Sequence, residues 1–302
     1  MSGDARFFAI VNPAAGDGRC GKLAPATLDR VREGGISLEI AETKRAGEAI
    51  AFAREAYARG FRNFLGVGGD GTSYEILNGV FPEALASGRP ALGFLPLGTG
   101  NSFLRDFTTR GVEHTLAALL AGKRRRCDVL RLRHAGGDAY FLNVLNLGFP
   151  SEVGEITHRR FKRFGYFGYA LGVLACLARL KAHTFPHRLD AAPGWDRRPC
   201  LFLAFANSKF TGGNMMMAPQ ADTSDGRIEY VRCAPVGRLR LLWNFPRLFT
   251  GSYIEHRLAS RAAVQRVEFD LSEPAQAIVD GEILHFHCRT LEILPGALDA
   301  IV

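Results

Sequence analysis

The sequence predicts an α/β domain with a parallel sheet, followed by a mainly antiparallel β-sandwich domain. Over the first 126 residues, short apolar runs alternate with helical patterns, which is typical of βαβ units. Beyond residue 126, most periodic segments are strand-like and are separated by turns. We therefore expect domains at 1–126 and 127–302, and the last residues could return to the first domain.

Hydrophobic periodicity predicts the elements of the first domain in order. The basic run Gly122–Arg126 then marks the domain boundary, and its charges fit an exposed linker as well as a membrane contact. Strands are predicted over 6–11, 37–41, 63–67 and 91–95, and helices over 22–33, 45–59 and 74–81.

The second domain is predicted to contain many strands and few helices. The predicted helices cover 161–181 and 239–249. The predicted strands cover 129–133, 140–147, 201–206, 227–232, 264–271, 277–279 and 290–294.

Composition narrows the class of protein. The chain has 302 residues, 47% of them hydrophobic and 23% charged, with a net charge of +8. This charge suits a polyanionic substrate or an anionic membrane surface, whereas no nucleic-acid-binding pattern is present. Six scattered cysteines without a C-x-x-C pair, and no signal peptide, predict a cytoplasmic protein with reduced thiols. The sequence leaves a homodimer open.

Three glycine-rich or polar loops follow predicted strands, at Asn12–Gly18, Gly68–Thr72 and Pro96–Ser102. The carboxyl ends of parallel strands share one sheet edge, so we expect the loops to form one nucleotide site. Asp70 between glycines suits Mg²⁺, which bridges a carboxylate to phosphates. A tight turn with a chance Asp is the alternative. The first loop is not a Walker P-loop, because Leu23 stands where Ser or Thr is required.

In their order and spacing, the three loops resemble the catalytic domain of diacylglycerol and sphingosine kinases. Asp225-Gly226 and Asp280-Gly281-Glu282 resemble the soluble bacterial branch of this family. The Gly-Asp-Gly-Thr turn also occurs in NAD kinases and phosphofructokinases, whose fold is expected for the first domain. The resemblance implies an ATP-dependent lipid kinase, with diacylglycerol or a related glycerolipid as the most favoured acceptor.

The resemblance also implies roles for individual residues. Asp70 would organise Mg²⁺–ATP, Glu282 would be the general base for the lipid hydroxyl, and Arg105 would neutralise phosphate charge. The implied ATP contacts are Asn12, Pro13, Ala14, Ala15, Gly16, Thr43, Gly69, Asp70, Gly71, Thr72, Ser73, Tyr74, Glu75 and Thr99.

A second Mg²⁺ site is implied by the stretch from Ala218 to Arg227. There the Asp225 carboxylate and the backbone carbonyls of Asp222 and Arg227 would be ligands, which suits a hard cation with several waters. A polar turn capped by Asp is the alternative.

Two departures from the family pattern keep other functions open. Ser102 replaces the usual Asp of diacylglycerol kinases, as in sphingosine and ceramide kinases, and Asp17 replaces a frequent basic residue. A sphingoid or ceramide acceptor, a soluble acceptor such as NAD, and a non-catalytic nucleotide-binding role therefore remain alternatives. The basic-aromatic segment 158–169 could lie on an anionic leaflet at the inner membrane face or line a cleft for the acyl chain. Alternatively, it packs as a helix on the second domain with a solvated basic end.

Overall fold

The computed structural model describes residues 6–157, 159, 165–212, 214–255 and 257–302. The chain divides into two compact units. The first unit consists of the chain up to Val129 together with the C-terminal segment Leu294–Val302. The second unit is Leu130–Ile293. Within the described residues, no helix combines the length and apolarity needed to cross a bilayer.

The first unit is an α/β domain with a parallel sheet. Its elements are β1 (Arg6–Val11), α1 (Arg19–Glu33), β2 (Ser37–Glu42), α2 (Glu48–Ala58), β3 (Asn63–Gly68), α3 (Asp70–Val80), α4 (Ala84–Ser87), β4 (Ala91–Pro96), a 3-10 turn (Phe103–Asp106) and α5 (Val112–Leu120). The strands lie in the order β2-β1-β3-β4 and pair in parallel. β1, β3 and β4 are buried almost throughout, as expected for strands covered on both faces.

The second unit is a mainly antiparallel β-sandwich. β5 (Arg124–His134) leads into it, and β6 (Gly137–Phe141), β7 (Val144–Gly148), α6 (Phe149–Ile156), α7 (Gly165–Ala178), β8 (His187–Leu189), β9 (Phe202–Ala206), β10 (Phe210–Thr211), β11 (Met215–Met216), β12 (Ile228–Cys233), α8 (Arg238–Asn244), α9 (Arg247–Thr250), a 3-10 turn (Ser252–Glu255), β13 (Ala259–Val264), β14 (Arg266–Phe269), β15 (Ala275–Val279), β16 (Glu282–Phe286) and β17 (Cys288–Ile301) follow.

One layer of the sandwich is the antiparallel sheet β13-β12-β9-β7-β15-β16. In the other layer, β14 lies between β8 and the first half of β17, and β5 pairs with β6. The last residues of β17, Asp299–Ile301, pair in parallel with β4. The predicted fold class is thus confirmed, with an α/β unit and an antiparallel sandwich.

Several predicted boundaries differ from the structure. Arg124–Arg126 is not a linker, because it opens β5. The predicted strand 140–147 is two strands with a break at Leu142 and Asn143. The predicted strand 264–271 starts later as β14, because β13 already ends at Val264, and α6 was not predicted.

Half of the predicted membrane segment 158–169, namely residues 158 and 160–164, lies outside the described residues. Its described side chain, Arg159, is exposed and lies 3.7 Å from Glu155. The backbone of α7 covers part of the predicted helix over 161–181.

Candidate active site

The first loop, Asn12–Gly18, follows β1, and the second loop, Gly68–Thr72, follows β3. The order of strands in the sheet reverses between these two strands. The chain passes from β1 to β2 on one side and then to β3 on the other, so β1 and β3 flank a topological switch point. Ligands of open α/β sheets bind outside the carboxyl ends of strands at such a point. Here the Asn12 N–H donates to the Val67 carbonyl at 3.0 Å, and the Thr43 N–H donates to the Val11 carbonyl at 2.9 Å.

The loops after β3 and β4 are joined backbone to backbone. The Asp70 N–H donates to the Gly100 carbonyl at 2.9 Å, and the Gly98 N–H donates to the Gly68 carbonyl at 2.7 Å. A Cβ at Gly69 would lie 2.6 Å from the Gly100 oxygen, and a Cβ at Gly98 would lie 2.8 Å from the Gly69 nitrogen. Glycine is therefore required at both positions by the close approach of the two chains.

Asp70 is the first residue of α3, four residues before the predicted helix start at Tyr74. Its Oδ2 accepts a hydrogen bond from the Ser102 N–H at 2.8 Å, and its Oδ1 accepts one from the Phe103 N–H at 3.4 Å. Ser102 is buried, with 2% of its surface exposed. The third loop therefore fixes the direction of the Asp70 carboxylate.

The loop after β1 reaches the third loop as well. Gly16, Asp17 and Gly18 all have positive φ, at 64°, 55° and 82°. The Arg19 guanidinium donates to the carbonyls of Leu97 and Gly98, with Nη2 at 3.3 and 3.1 Å. Consecutive residues of this kind form concave nests of N–H groups that bind anions. All three predicted loops thus meet at one edge of the sheet.

The site contains groups that fit phosphates and a cation. Within the described part of the chain, the N–H groups of Gly16, Asp17 and Gly71 have no hydrogen-bond acceptor, and the buried Thr72 Oγ1 has no partner. Thr99 and Arg105 are exposed on the third loop and the turn after it. Free N–H donors, a hydroxyl and a guanidinium suit phosphate oxygens, and a carboxylate such as that of Asp70 is of the hard oxygen type that Mg²⁺ prefers.

Other predicted ATP contacts have structural roles in the same loops. The Ala15 N–H donates to the Asn12 carbonyl at 3.0 Å, and Pro13 and Ala14 lie in the same turn. The Glu75 carboxylate accepts hydrogen bonds from the N–H groups of Gly47 and Ala49, at 3.0 and 3.1 Å. Glu75 therefore caps the N-terminus of α2 and links it to α3, which sequence reasoning did not reveal.

The remaining predicted contacts on α3 are Ser73 and Tyr74. Ser73 is buried, with 8% of its surface exposed, and its N–H donates to the Gly69 carbonyl at 3.3 Å. Tyr74 is half-buried. Cys20 lies beneath the loops, where its thiol donates to the Val67 carbonyl at 3.5 Å and burial raises its pKa. Its thiol is therefore not activated as a nucleophile.

Glu282 belongs to the second unit, where it is exposed at the start of β16 and lies opposite Val279 across a tight turn. The turn is fixed by Asp280, which is 7% exposed and has φ at 49°. The Asp280 carboxylate accepts hydrogen bonds from the N–H groups of Leu142, Asn143 and Val144, at 2.9, 2.9 and 3.2 Å. Asp280 is therefore a positioning residue for the turn that carries Glu282.

A buried polar network continues from this turn. The Ser208 hydroxyl donates to the Asn143 Oδ1 at 2.8 Å, and the Asn207 Nδ2 donates to the Leu142 carbonyl at 2.8 Å. Sequence reasoning missed Asn143, Asn207 and Ser208, which lie far from Asp280 along the chain. The one local signal in the sequence is the Asp280-Gly281 pair, because Asp and Gly tolerate the left-handed backbone region that the structure shows at this turn.

The predicted structural Mg²⁺ stretch forms two consecutive Asx turns. The Asp222 Oδ1 accepts a hydrogen bond from the Ser224 N–H at 3.0 Å, and the Asp225 Oδ1 accepts one from the Arg227 N–H at 2.9 Å. Desolvation raises the pKa of the Asp225 carboxyl, and the charge of Asp222 adds to this shift. The described residues contain no group of three or more His, Cys, Asp or Glu side chains placed to hold a metal ion. Mg²⁺ here would need backbone carbonyls and waters, which suits its preferences.

Glycine-rich loops with open N–H donors at the switch point of an α/β unit are typical of phosphate-binding enzymes such as kinases. The family model of the diacylglycerol kinase catalytic domain matches residues 6–132. The model of the YegS C-terminal NAD kinase beta sandwich-like domain matches residues 143–302.

Relatives span nearly the whole chain. A YegS-like lipid kinase from Chromohalobacter salexigens is 31% identical, over 90% of this chain and 86% of its own. A diacylglycerol kinase from Mycobacterium tuberculosis is 29% identical, over 83% of this chain and 80% of the relative. This protein therefore belongs to the family of YegS-like lipid kinases and diacylglycerol kinases.

Solved structures support the same fold. A diacylglycerol kinase from Bacillus anthracis str. Sterne has a TM-score of 0.72 at 20% identity, over 99% of this chain and 96% of its own. A second structure from this organism has a TM-score of 0.78 at 23% identity, over 99% and 95%.

Replacing Asp280 with Asn is expected to lower the free energy of unfolding by about 1–3 kcal/mol, because an amide cannot satisfy three buried N–H donors. Urea denaturation measures the loss. Asp190→Asn is the matched control, since Asp190 has φ at 47° and accepts two backbone N–H groups but is exposed. Equal losses in the two variants would show that burial of the Asp280 network has no special role.

Proposed function

We propose that this protein is an ATP- and Mg²⁺-dependent lipid kinase that phosphorylates a lipid hydroxyl, with diacylglycerol or a related glycerolipid as the acceptor. The observation that carries the proposal is the meeting of three loops around Asp70 at the switch point of the sheet. The printed names of the relatives, which include lipid kinases and a diacylglycerol kinase, support a lipid acceptor.

The loops would bind the phosphates of ATP. In the described chain, the N–H groups of Gly16, Asp17 and Gly71 have no acceptor and would donate to phosphate oxygens. The exposed guanidinium of Arg105 would neutralise charge that shifts during transfer. A bound Mg²⁺, held through Asp70, would neutralise the phosphates and orient them.

Glu282 would act as the general base for the acceptor. Its carboxylate would take the proton from the lipid hydroxyl while the hydroxyl oxygen forms a bond to the γ-phosphorus. The bond from the γ-phosphorus to the β–γ bridging oxygen breaks, and ADP leaves with the electron pair. The turn that carries Glu282 is rigid because Asp280 fixes it with three hydrogen bonds. A backbone held in this way reduces the number of conformations from which the Glu282 side chain would have to reach the acceptor.

A sphingoid base or ceramide is the second candidate acceptor. The observation that favours it is Ser102, which is buried and contacts the Asp70 carboxylate through its N–H. Diacylglycerol kinases usually have a second carboxylate at this position, and here the side chain is a hydroxyl. The charge around Asp70 therefore differs from that in the glycerolipid enzymes.

The kinase proposal predicts transfer of labelled γ-phosphate from Mg²⁺–ATP to one class of lipid in mixed micelles. The lipids to compare are diacylglycerol, monoacylglycerol, phosphatidylglycerol, sphingosine and ceramide. Asp70→Asn and Glu282→Gln should each reduce labelled product by about a hundredfold or more, since a metal ligand and a general base are lost.

Matched controls for this assay are Asp29→Asn and Glu33→Gln, which change exposed carboxylates on α1. Both controls should retain activity. Transfer to NAD but to no lipid would replace the proposal with a soluble-acceptor kinase. Bound ATP without transfer to any acceptor would indicate a non-catalytic role.

The second Mg²⁺ site predicts metal-dependent stability. Mg²⁺ should raise the melting temperature of the wild-type protein over that in EDTA, because a ligand that binds only the folded state stabilises it. Asp225→Asn should abolish this rise. Asp222→Asn should retain it, because the proposed ligand at Asp222 is the backbone carbonyl, and the Asn amide oxygen can still accept the Ser224 N–H. An unchanged rise in Asp225→Asn would contradict the site.

A further inference from the structure

Helix α8 carries apolar side chains on two opposite faces. On its inner face Leu241 is 8% exposed and packs in the core of the second unit, together with the half-buried Phe245 and Leu248 that follow it. On its outer face Leu239, Leu242 and Trp243, here termed the α8 patch, are 84%, 49% and 85% exposed. A helix with apolar side chains on two opposite faces normally has both of these faces covered.

The α8 patch is one continuous surface. Its members are spaced at i, i+3 and i+4, so they lie on the same side of the helix. Leu239 and Trp243 are the most exposed large apolar side chains in the described chain. Single exposed apolar residues are ordinary on a protein surface. A group of them, as in the α8 patch, marks a surface that binds a membrane, another protein or a ligand.

The charge around the α8 patch indicates which kind of partner it binds. Residues 237–250 contain three arginines and no acidic residue. Arg240 and Arg247 are exposed and form no ion pair within the described residues, whereas Arg238 donates to the Ala178 carbonyl at 3.0 Å and ties α8 to the end of α7. The nearest acid along the chain is the exposed Glu255 in the 3-10 turn that follows α9.

We propose that the α8 patch docks this protein on an anionic lipid bilayer. Leu239 and Trp243 would insert at the level of the headgroups, and Arg240 and Arg247 would contact the lipid phosphates. Tryptophan and leucine beside arginine, on a short helix that lies in the membrane plane, is the composition of interfacial helices. A second copy is disfavoured, because a symmetric dimer through this face would bring three arginines against three arginines.

This inference deepens the proposed function, since a kinase of membrane lipids must reach its acceptor at a bilayer. It concerns residues outside the candidate active site and outside the basic segment 158–169. It is therefore testable without ATP or catalysis.

The test uses Trp243 as a reporter. The chain has two tryptophans, so Trp195→Phe leaves Trp243 as the only one. The emission of Trp243 should shift to the blue on equimolar phosphatidylcholine–phosphatidylglycerol vesicles, and lipids brominated near the headgroup should quench it. Both effects should weaken on pure phosphatidylcholine and at high salt, because screening reduces the arginine contribution.

Flotation with the same vesicles tests the side chains. Leu239→Ser with Leu242→Ser should reduce vesicle binding by about tenfold or more, because the apolar surface that enters the bilayer is lost. Leu85→Ser is the control, since Leu85 is 47% exposed in the first unit and should leave binding unchanged. Circular dichroism and thermal melting show whether each variant is folded.

Several outcomes would overturn the proposal. Unchanged Trp243 emission on protein that floats with the vesicles would place the docking surface elsewhere. A blue shift that depends on protein concentration without vesicles would indicate a second copy. Absence of flotation would contradict the docking proposal even if the protein phosphorylates lipids in micelles. Intact flotation without phosphate transfer would contradict the kinase proposal and leave the docking proposal standing.

Discussion

The backbone contact between the loops after β3 and β4 is the constraint on which the rest of the site depends. Two backbone hydrogen bonds, from the Asp70 N–H to the Gly100 carbonyl and from the Gly98 N–H to the Gly68 carbonyl, join these loops. The loops are so close that a side chain at Gly69 or Gly98 would collide with the opposite backbone. This contact starts α3 at Asp70 and aims the Asp70 carboxylate at the N–H groups of the third loop. The convergence of the three glycine-rich loops follows from this geometry.

The turns at Asp70 in the first unit and at Asp280 in the second unit are held by the same type of hydrogen bonding. In each, an Asp beside a glycine accepts hydrogen bonds from backbone N–H groups of a segment distant in sequence. Asp70 binds the backbone at Ser102 and Phe103, and Asp280 binds the backbone at Leu142 to Val144. Hydrogen bonds to a charged acceptor are stronger than neutral ones, so each turn is fixed without the help of a ligand. Both Asp residues therefore have a structural role in their turns.

The sequence predicted the parts of the fold that depend on local pattern. The strands β1, β3 and β4 were predicted to within one residue, because strands buried on both faces are short, continuous apolar runs. The meeting of their loops followed from parallel topology. Features set by distant backbone contacts could not be predicted, such as the early start of α3, the cap of α2 by Glu75 and the strand break at Leu142. The exposure of the α8 patch likewise depends on tertiary packing.

The most direct test of this account is the affinity for Mg²⁺–ATP of a Gly98→Ala variant, measured by titration calorimetry. The added Cβ would lie 2.8 Å from the Gly69 nitrogen, so it separates the two loops without removing any polar group. Wild-type protein should bind Mg²⁺–ATP, and the variant, while still folded, should lose most of this affinity. Unchanged affinity in the variant would show that nucleotide binding does not depend on the contact between these loops.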